Sequence, residues 1–222
     1  MGVAVTELGS AHAAAGSTSL VVTTTADAPA GSFIVGAAGA ASATALTGVA
    51  DAAGNAYPLG TVFNSGTAQG RYFHAPVATD LPAGSAITFT FAATAGAKLA
   101  IATAVTGLAG VDVEGAPAGG TGTSFQIAAG ALGWAGEIVF DAFILAGGGG
   151  DAIGEDGAST TDGSVSQGAQ LHLAHRIAAT PAAVTYTASG PTSRSWAGNY
   201  KTFKAAAASP FNRAAQFTYL EF

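Results

Sequence analysis

At 222 residues, the chain is long enough to bury a sizeable core, and it lies in the range that sandwiches and barrels occupy as one domain. Only 9% of its residues are charged, its net charge is -6 and it contains no cysteine, which excludes disulfide bonds, thiolate zinc sites and cysteine nucleophiles. No stretch approaches the ~18–20 uninterrupted apolar residues of a membrane-spanning helix, and the first residues lack the basic and apolar regions of a signal peptide, so we expect neither feature.

The hydrophobic pattern predicts β-strands along the whole chain. Short β-branched or aromatic runs are separated by Gly, Pro, Asn and Asp turns at close spacing. In chain order, the predicted strands cover residues 3–8, 18–25, 32–38, 56–63, 70–77, 85–93, 99–106, 124–128, 137–146, 170–178, 184–188, 195–205 and 215–222. Helix signals are almost absent. We therefore predict an all-β protein built as an antiparallel, jelly-roll-like β-sandwich.

Two copies of a Pro-Ala-Gly-Ser turn, at residues 29–32 and 82–85, each precede a predicted strand. Proline fixes φ and glycine supplies the positive φ of a type II turn, so each copy predicts a tight turn that leads into a strand. A looser copy lies at residues 135–137. Two Gly-rich stretches, 115–122 and 147–168, are predicted as long loops, which in compact domains usually carry function.

The sequence divides into a predicted β-sandwich domain, residues 1–208, and a C-terminal strand or arm, residues 209–222. Pro210 ends the preceding strand, and apolar side chains then lie on both faces of an extended segment at 215–222. Such a terminal strand is either central in its own sheet or covered by a partner. We expect an arm whose deletion leaves a folded protein that no longer assembles or docks.

The charges are distributed unevenly along the chain. Residues 1–170 hold twelve acidic and two basic residues, whereas residues 171–222 hold five basic residues and one acidic residue. This distribution is either drift in composition among few charges or a basic end that docks on an acidic neighbour. Neither interpretation supplies the concentrated basic face that nucleic-acid binding needs, so we expect no nucleic-acid partner.

One acidic cluster falls in the second Gly-rich stretch. Its members are Asp151, Glu155, Asp156 and Asp162. Calcium takes several oxygen ligands from such loops, but the EF-hand spacing is absent and Gly-Asp pairs are common in turns. The glycine run before Asp151 lacks the lysine and the helix of a phosphate-binding loop. We therefore predict no metal and no cofactor.

The histidines and serines do not suggest catalysis. His172 and His175 lie three positions apart in a predicted strand, so their side chains are expected on opposite faces and not on one metal ion. His175 is predicted to be a hydrogen-bonded interior histidine. No serine has the setting of a nucleophile elbow, and no carboxylate pair is distinguished by the sequence. We predict no catalytic residues and no enzymatic activity.

Aromatic side chains offer another kind of site, a platform on which sugar rings could stack. The candidates are Tyr57, Phe63, Tyr72, Phe73, Trp134, Trp196, Tyr200, Phe211 and Tyr219. Tryptophans serve more often as core or edge anchors, and Trp196, in a Ser/Gly-rich stretch, is expected to be more exposed than Trp134. The residues predicted to take part in interactions are Trp196, Tyr200, Phe211, Arg213, Phe217 and Tyr219.

Several short motifs resemble a sandwich domain common in phage and prophage structural proteins. They include VADAAGNAY at 49–57, LPAGSAITF at 81–89 and SWAGNYKTFKA at 195–205, and the resemblance spans about residues 15–205. It implies a virion structural protein of a tailed phage, most specifically a capsid decoration (cement) or head-surface protein. The last 17 residues depart from the pattern.

The same resemblance implies partners and a location. The partners would be the major capsid protein or other virion proteins, and further copies of the chain in a homo-oligomer, often a trimer. The protein would be made in the bacterial cytoplasm and would lie on the particle surface, with no membrane partner. The alternative is a tail-tip, receptor-binding or carbohydrate-binding module whose ligand is a host glycan.

Overall fold

The computed structural model describes residues 2–147 and 150–207. Within these ranges the chain forms β-strands and no helix. The strands are β1 (Ala4–Ala13), β2 (Ser19–Thr23), β3 (Phe33–Ala40), β4 (Leu46–Asp51), β5 (Leu59–Ser65), β6 (Ala68–Pro76), β7 (Ala86–Phe91), β8 (Lys98–Thr106), β9 (Leu108–Glu114), β10 (Ala118–Ala131), β11 (Ile138–Ala146), β12 (Gly154–Glu155), β13 (Thr160–Ser166), β14 (Ala169–Ile177) and β15 (Ala183–Ala205).

The strands form three antiparallel sheets, which confirms the predicted all-β sandwich class. A five-stranded sheet has the order β1-β8-β3-β6-β5, and a three-stranded sheet has the order β2-β7-β4. A seven-stranded sheet has the order β10-β15-β11-β14-β13, with β9 and β12 also paired to β15. From β1 to β8 the chain passes repeatedly between the first two sheets, so strands that are distant in sequence become neighbours.

The five-stranded sheet is the middle layer of a stack of three. Its central strands β3 and β8 are buried on both faces, as expected for strands that read as nearly continuous apolar runs. Ile34 packs in the cluster shared with the three-stranded sheet, whereas Val35 packs in the cluster shared with the seven-stranded sheet. The next position on β3 is Gly36, where a Cβ would overlap the Ile101 carbonyl oxygen and the Phe73 ring.

A ribbon made from the second half of β10 and the first half of β15 packs over the outer face of the seven-stranded sheet. The pairing register shifts between Gly122 and Ser124 of β10, opposite Arg194 and Ser189 of β15. Beyond this shift the two strands leave the sheet together and enclose a further cluster of buried side chains. The members of this outer cluster are Phe125, Ile127, Phe143, Leu145, Ala174, Tyr186, Ala188 and Trp196.

The predicted Pro-Ala-Gly-Ser turns are present, and they cap each other. Gly31 and Gly84 have φ of 85° and 84°, the positive values that this turn requires. The Ala30 amide donates to Asp80 Oδ1 at 2.6 Å, and the Ala83 amide donates to Asp27 Oδ1 at 2.8 Å. Each Asp-x-Pro-Ala-Gly-Ser turn thus satisfies a backbone amide of the other, where the chain crosses between the three-stranded and five-stranded sheets.

Both stretches predicted as long loops contain strand instead. Most of residues 115–122 belongs to β10, and residues 147–168 include β12 and β13. Strands β4, β9, β12 and β13 were not among the predicted strands, and the predicted strands 184–188 and 195–205 are parts of the single strand β15. The predicted domain boundary at 208/209 and the strand at 215–222 lie outside the described residues.

Candidate functional site

The most exposed large apolar side chain in the described part of the chain is Trp134, at 59% of its accessible surface. It borders a concavity of about 360 Å³, which we call the Trp134 depression. The lining residues are Ala109, Trp134, Ala135, Lys204, Ala205 and Ala207. Small methyl groups form most of this lining, so the depression is mainly apolar.

The turn between β10 and β11 holds Trp134 outside the core. Gly136 has a φ of 83°, and its amide donates to the Ala178 carbonyl at 2.7 Å. The Ala178 amide donates in return to the Glu137 carbonyl at 2.8 Å. The end of β14 therefore fixes the turn by two backbone hydrogen bonds, and the indole projects away from the sheet.

The charged groups around the indole contact one another. Lys204 Nζ lies 5.2 Å from the Trp134 ring centroid and 2.9 Å from Asp112 Oδ1. Burial, and then the Asp112 carboxyl, raises the pKa of the Glu137 side chain. A hydrogen bond with Glu137, and then one from Lys204, lowers the pKa of Asp112. The one ammonium beside the indole is therefore already engaged by a carboxyl group of β9.

Other exposed apolar side chains lie at the same end of the seven-stranded sheet. Val111 and Val113 are exposed on β9, which pairs only with β15 among the described strands. Ile177 is exposed at the end of β14, directly before Ala178, which holds the Trp134 turn. The depression is therefore part of a wider apolar end of the molecule.

The residues predicted for interaction do not form this site. Trp196 is only 7% exposed and packs against Phe125 in the outer cluster, with ring centroids 5.9 Å apart. The expectation that Trp196 would be more exposed than Trp134 is wrong because the ribbon covers it. Tyr200 is half-buried against the outer cluster. The remaining predicted residues, Phe211, Arg213, Phe217 and Tyr219, lie outside the described residues.

The acidic cluster of residues 151–162 is divided among separate partners. The pairs are Asp151–Arg194 at 3.0 Å, Glu155–His172 at 2.6 Å, Asp156–Arg176 at 2.6 Å and Asp162–His175 at 2.7 Å. Each carboxylate is thus turned toward a basic side chain of β14 or β15. In the part of the chain that the structure describes, no group of three or more His, Asp or Glu side chains is placed to hold a metal ion.

The uneven charge distribution is matched inside the molecule. Lys201 Nζ lies 2.8 Å from Glu114 Oε2, in addition to the Lys204–Asp112 contact and the two arginine pairs. Four of the five basic residues after position 170 therefore contact carboxylates of the acidic part of the chain. Arg213 lies outside the described residues. The other four basic residues are paired within the molecule, so they offer no free positive charge for docking on an acidic neighbour.

The two histidines of β14 lie on opposite faces, which confirms the prediction. His172 stacks on Phe143 of the outer cluster at 4.9 Å between ring centroids. His175 lies 5.7 Å from Phe140 on the inner face, and its Nδ1 contacts Asp162, as expected for a hydrogen-bonded interior histidine. The Glu155–His172 pair has the form of an acid–base dyad, but the imidazole is 1% exposed beneath the ribbon, so substrate has no access to it.

His74 gives the fold a specific sensitivity to acid. Burial, and then the Lys201 ammonium, lowers the pKa of His74 from 6.5 to about 4. The folded state therefore favours the neutral ring, so its contribution to stability is present above pH 6.5 and is lost as the pH falls toward 4. We expect His74→Gln to lose less unfolding free energy than the parent between pH 7.5 and 4.5, as measured by urea titration. Equal losses in both proteins would contradict this assignment.

Comparison of the chain with family models, with curated proteins and with solved structures finds no match to any of them. Among the described residues there is no helix whose length and apolar character would allow it to span a bilayer. What is established is an all-β protein of antiparallel sheets with an exposed tryptophan beside an apolar depression.

Proposed function

We propose that this chain is a non-enzymatic structural protein of a tailed-phage particle, a capsid decoration or head-surface subunit that binds the major capsid protein. The observation that carries the proposal is that the basic side chains are already bonded within the protein. Every Lys and Arg side chain of the described residues donates to protein: four to carboxylates, Arg71 to the carbonyls of Gly60 and Leu46, and Lys98 to those of Ala95 and Gly96.

Such a surface is suited to being covered by another protein. Free lysines and glutamates lose side-chain entropy when an interface forms, and interfaces are depleted in them. Here the exposed positions are mostly Gly, Ala, Ser and Thr, which lose little. The resemblance of residues 15–205 to phage sandwich domains supplies the kind of assembly, including a homotrimeric state and a place on the particle surface.

Two observations argue against other classes of protein. A nucleic-acid-binding surface needs lysines and arginines that are free to contact phosphates, and the described residues provide none. An enzyme needs an accessible acid, base or nucleophile, whereas the dyad of Glu155 and His172 is covered by the ribbon. A structural role requires neither.

Particles assembled from the genome that encodes this chain provide the test. We expect mass spectrometry to detect the chain in purified particles, and cryo-electron microscopy to place its three-layer density on the head. Deleting the gene should remove that density and lower the temperature at which the head releases DNA. Absence of the chain from the particle would overturn the proposal, and density at the tail tip alone would replace it with the tail-tip alternative.

The carbohydrate-binding alternative rests on one observation, the exposed indole of Trp134. Sugars stack on such rings, but they also need hydrogen-bond partners for their hydroxyl groups. The lining of the depression offers side-chain donors only from Lys204 and the indole itself, and the ammonium is already engaged by Asp112. Glycan-array binding at micromolar affinity that is lost in Trp134→Ala would favour this alternative over the structural role.

A further inference from the structure

We propose that the protonation of Asp141 controls the ribbon, which closes over the neutral carboxyl group and opens when that group loses its proton. Asp141 is the one polar residue in the outward-facing row of β11, where it lies between Val139 and Phe143. It is 1% exposed, and neither of its carboxyl oxygens has a hydrogen-bond partner among the described residues. A buried carboxylate without a partner is costly, so the closed ribbon favours the protonated acid.

The ribbon crosses directly over Asp141. On one side of it, Tyr186 of the ribbon packs with Phe143 in the outer cluster. On the other side, Val184 of the ribbon packs against the cluster that contains Val139. Water can therefore hydrate the carboxyl group only if this part of the ribbon moves away from the sheet.

No basic side chain lies directly opposite Asp141, because its partners in register are Ala174 of β14 and Tyr200 of β15. Burial raises the pKa of Asp141 well above its ordinary value of 3.8. Arg176 opposes this increase in part, whereas Asp156 and Glu155 add to it. The titratable and charged groups around Asp141 are His172 and Arg176 of β14, Glu155 and Asp156 in and after β12, Tyr186 and Tyr200 of β15, and Tyr72 of β6 beneath the sheet.

Arg176 couples the ionisation of Asp141 to movement of the ribbon. Its Nη2 donates to Asp156 Oδ2 at 2.6 Å and to the Thr185 carbonyl of the ribbon at 2.9 Å. Asp156 Oδ2 also accepts from the Thr187 amide of the ribbon at 3.4 Å. An ionised Asp141 attracts the guanidinium away from these contacts, since a buried carboxylate needs a cation or water. The ribbon then loses the bonds that hold its middle to β14.

The direction of the pH effect follows from the protonated form being the folded one. The stability that depends on Asp141 is fully present below about pH 3.8 and is lost as the pH rises through the raised pKa of the folded state. This is opposite to the effect of His74, whose contribution is lost as the pH falls. A variant that cannot ionise at position 141 should therefore gain stability relative to the parent as the pH rises.

Asp141→Asn keeps the shape of the side chain and cannot ionise. In a Trp134→Phe background, Trp196 of the outer cluster is the only tryptophan and reports on the ribbon. Between pH 5 and pH 9 we expect acrylamide quenching of Trp196 to rise several-fold with Asp141 present and to stay low in Asp141→Asn. Asp162→Asn is the matched control, because Asp162 is a buried acid that pairs with His175 on the inner face. It should keep the parent's pH response.

A second readout follows the proton itself. We expect infrared difference spectra of the parent to show a protonated carboxylic acid whose band disappears as Trp196 quenching rises, is retained in Asp162→Asn and is absent from Asp141→Asn. In urea titration, the midpoint of Asp141→Asn should exceed that of the parent by more at pH 8 than at pH 5. The same pH response of Trp196 in the parent and in Asp141→Asn would overturn the proposal. If Asp141→Asn does not fold, the parent decides: absence of the band, or its loss at a pH where quenching does not change, overturns the proposal too.

Discussion

Replacing Phe143 with alanine is expected to lower the free energy of unfolding by about 3–5 kcal/mol, the range for deleting a buried phenylalanine ring. Phe143 is fully buried on the outer face of β11, where its ring stacks on His172 and lies 5.2 Å from the ring of Phe125. Phe143 is thus a central contact between the sheet and the ribbon within the outer cluster. Chemical denaturation followed by circular dichroism would measure the loss.

The same substitution should also loosen the ribbon before the rest of the molecule unfolds. Trp196 lies in the same cluster, so its emission should move to longer wavelength in Phe143→Ala under native conditions. Val21→Thr is the control, because Val21 is 45% exposed on β2 and its replacement should change stability by less than about 0.5 kcal/mol. A loss below about 1 kcal/mol in Phe143→Ala would show that the ribbon does not depend on this contact.

The strands that could be predicted from the sequence are those with large apolar side chains of their own. Strand β11, with eight buried positions in sequence, is evident from its β-branched and aromatic run. Strand β13 reads TTDGSVS and has little apolar character, so its extended state depends on pairing with β14. Strand β9 depends in the same way on β15. Pairing between distant segments is a tertiary effect that local propensity does not contain.

The site was predicted less well than the fold, and the reason lies in β15. Trp196 follows a Ser/Gly-rich stretch, which suggests that its side chain is exposed. Trp134 has glycines on either side of its turn, so the local sequence suggests exposure there as well. Which of the two is covered depends on the ribbon, and the ribbon depends on a shift in register opposite residues 190–193. Composition does not specify a register shift, so the exposure of the two indoles could not be ranked from sequence.

The ion pairs show a related limit. Lys201 and Glu114 are 87 positions apart, so the sequence does not show that they pair. It shows only an excess of acidic residues in the first part of the chain and of basic residues in the last part. In the fold, each basic residue of β15 contacts a carboxylate of an adjacent strand or loop. From composition alone, the uneven charge distribution could be random drift or a signal for docking. In the fold it corresponds to ion pairs that connect β15 to adjacent segments and leave these charges paired.

Lys201→Met is expected to lower the free energy of unfolding by about 3 kcal/mol at pH 7, because removing one partner of a buried ion pair leaves the other charge uncompensated. The Lys201 side chain is 3% exposed, and that of Glu114 is 19% exposed. Although burial opposes it, hydrogen bonds from Lys201 and from the Thr61 amide lower the pKa of Glu114. Without Lys201 the carboxylate keeps the Thr61 contact alone, and urea titration would measure the resulting loss.

A double-mutant cycle separates this pair from a simple packing effect. Lys201→Met combined with Glu114→Gln removes both charges, and we expect it to regain most of the stability that either single substitution loses. Lys204→Met is the matched control on the same strand: its side chain is 40% exposed, so loss of the contact with Asp112 should cost less than about 1 kcal/mol. If the double variant were as unstable as the sum of the single variants, the loss would come from packing of the lysine stem and not from the buried charge that it leaves behind.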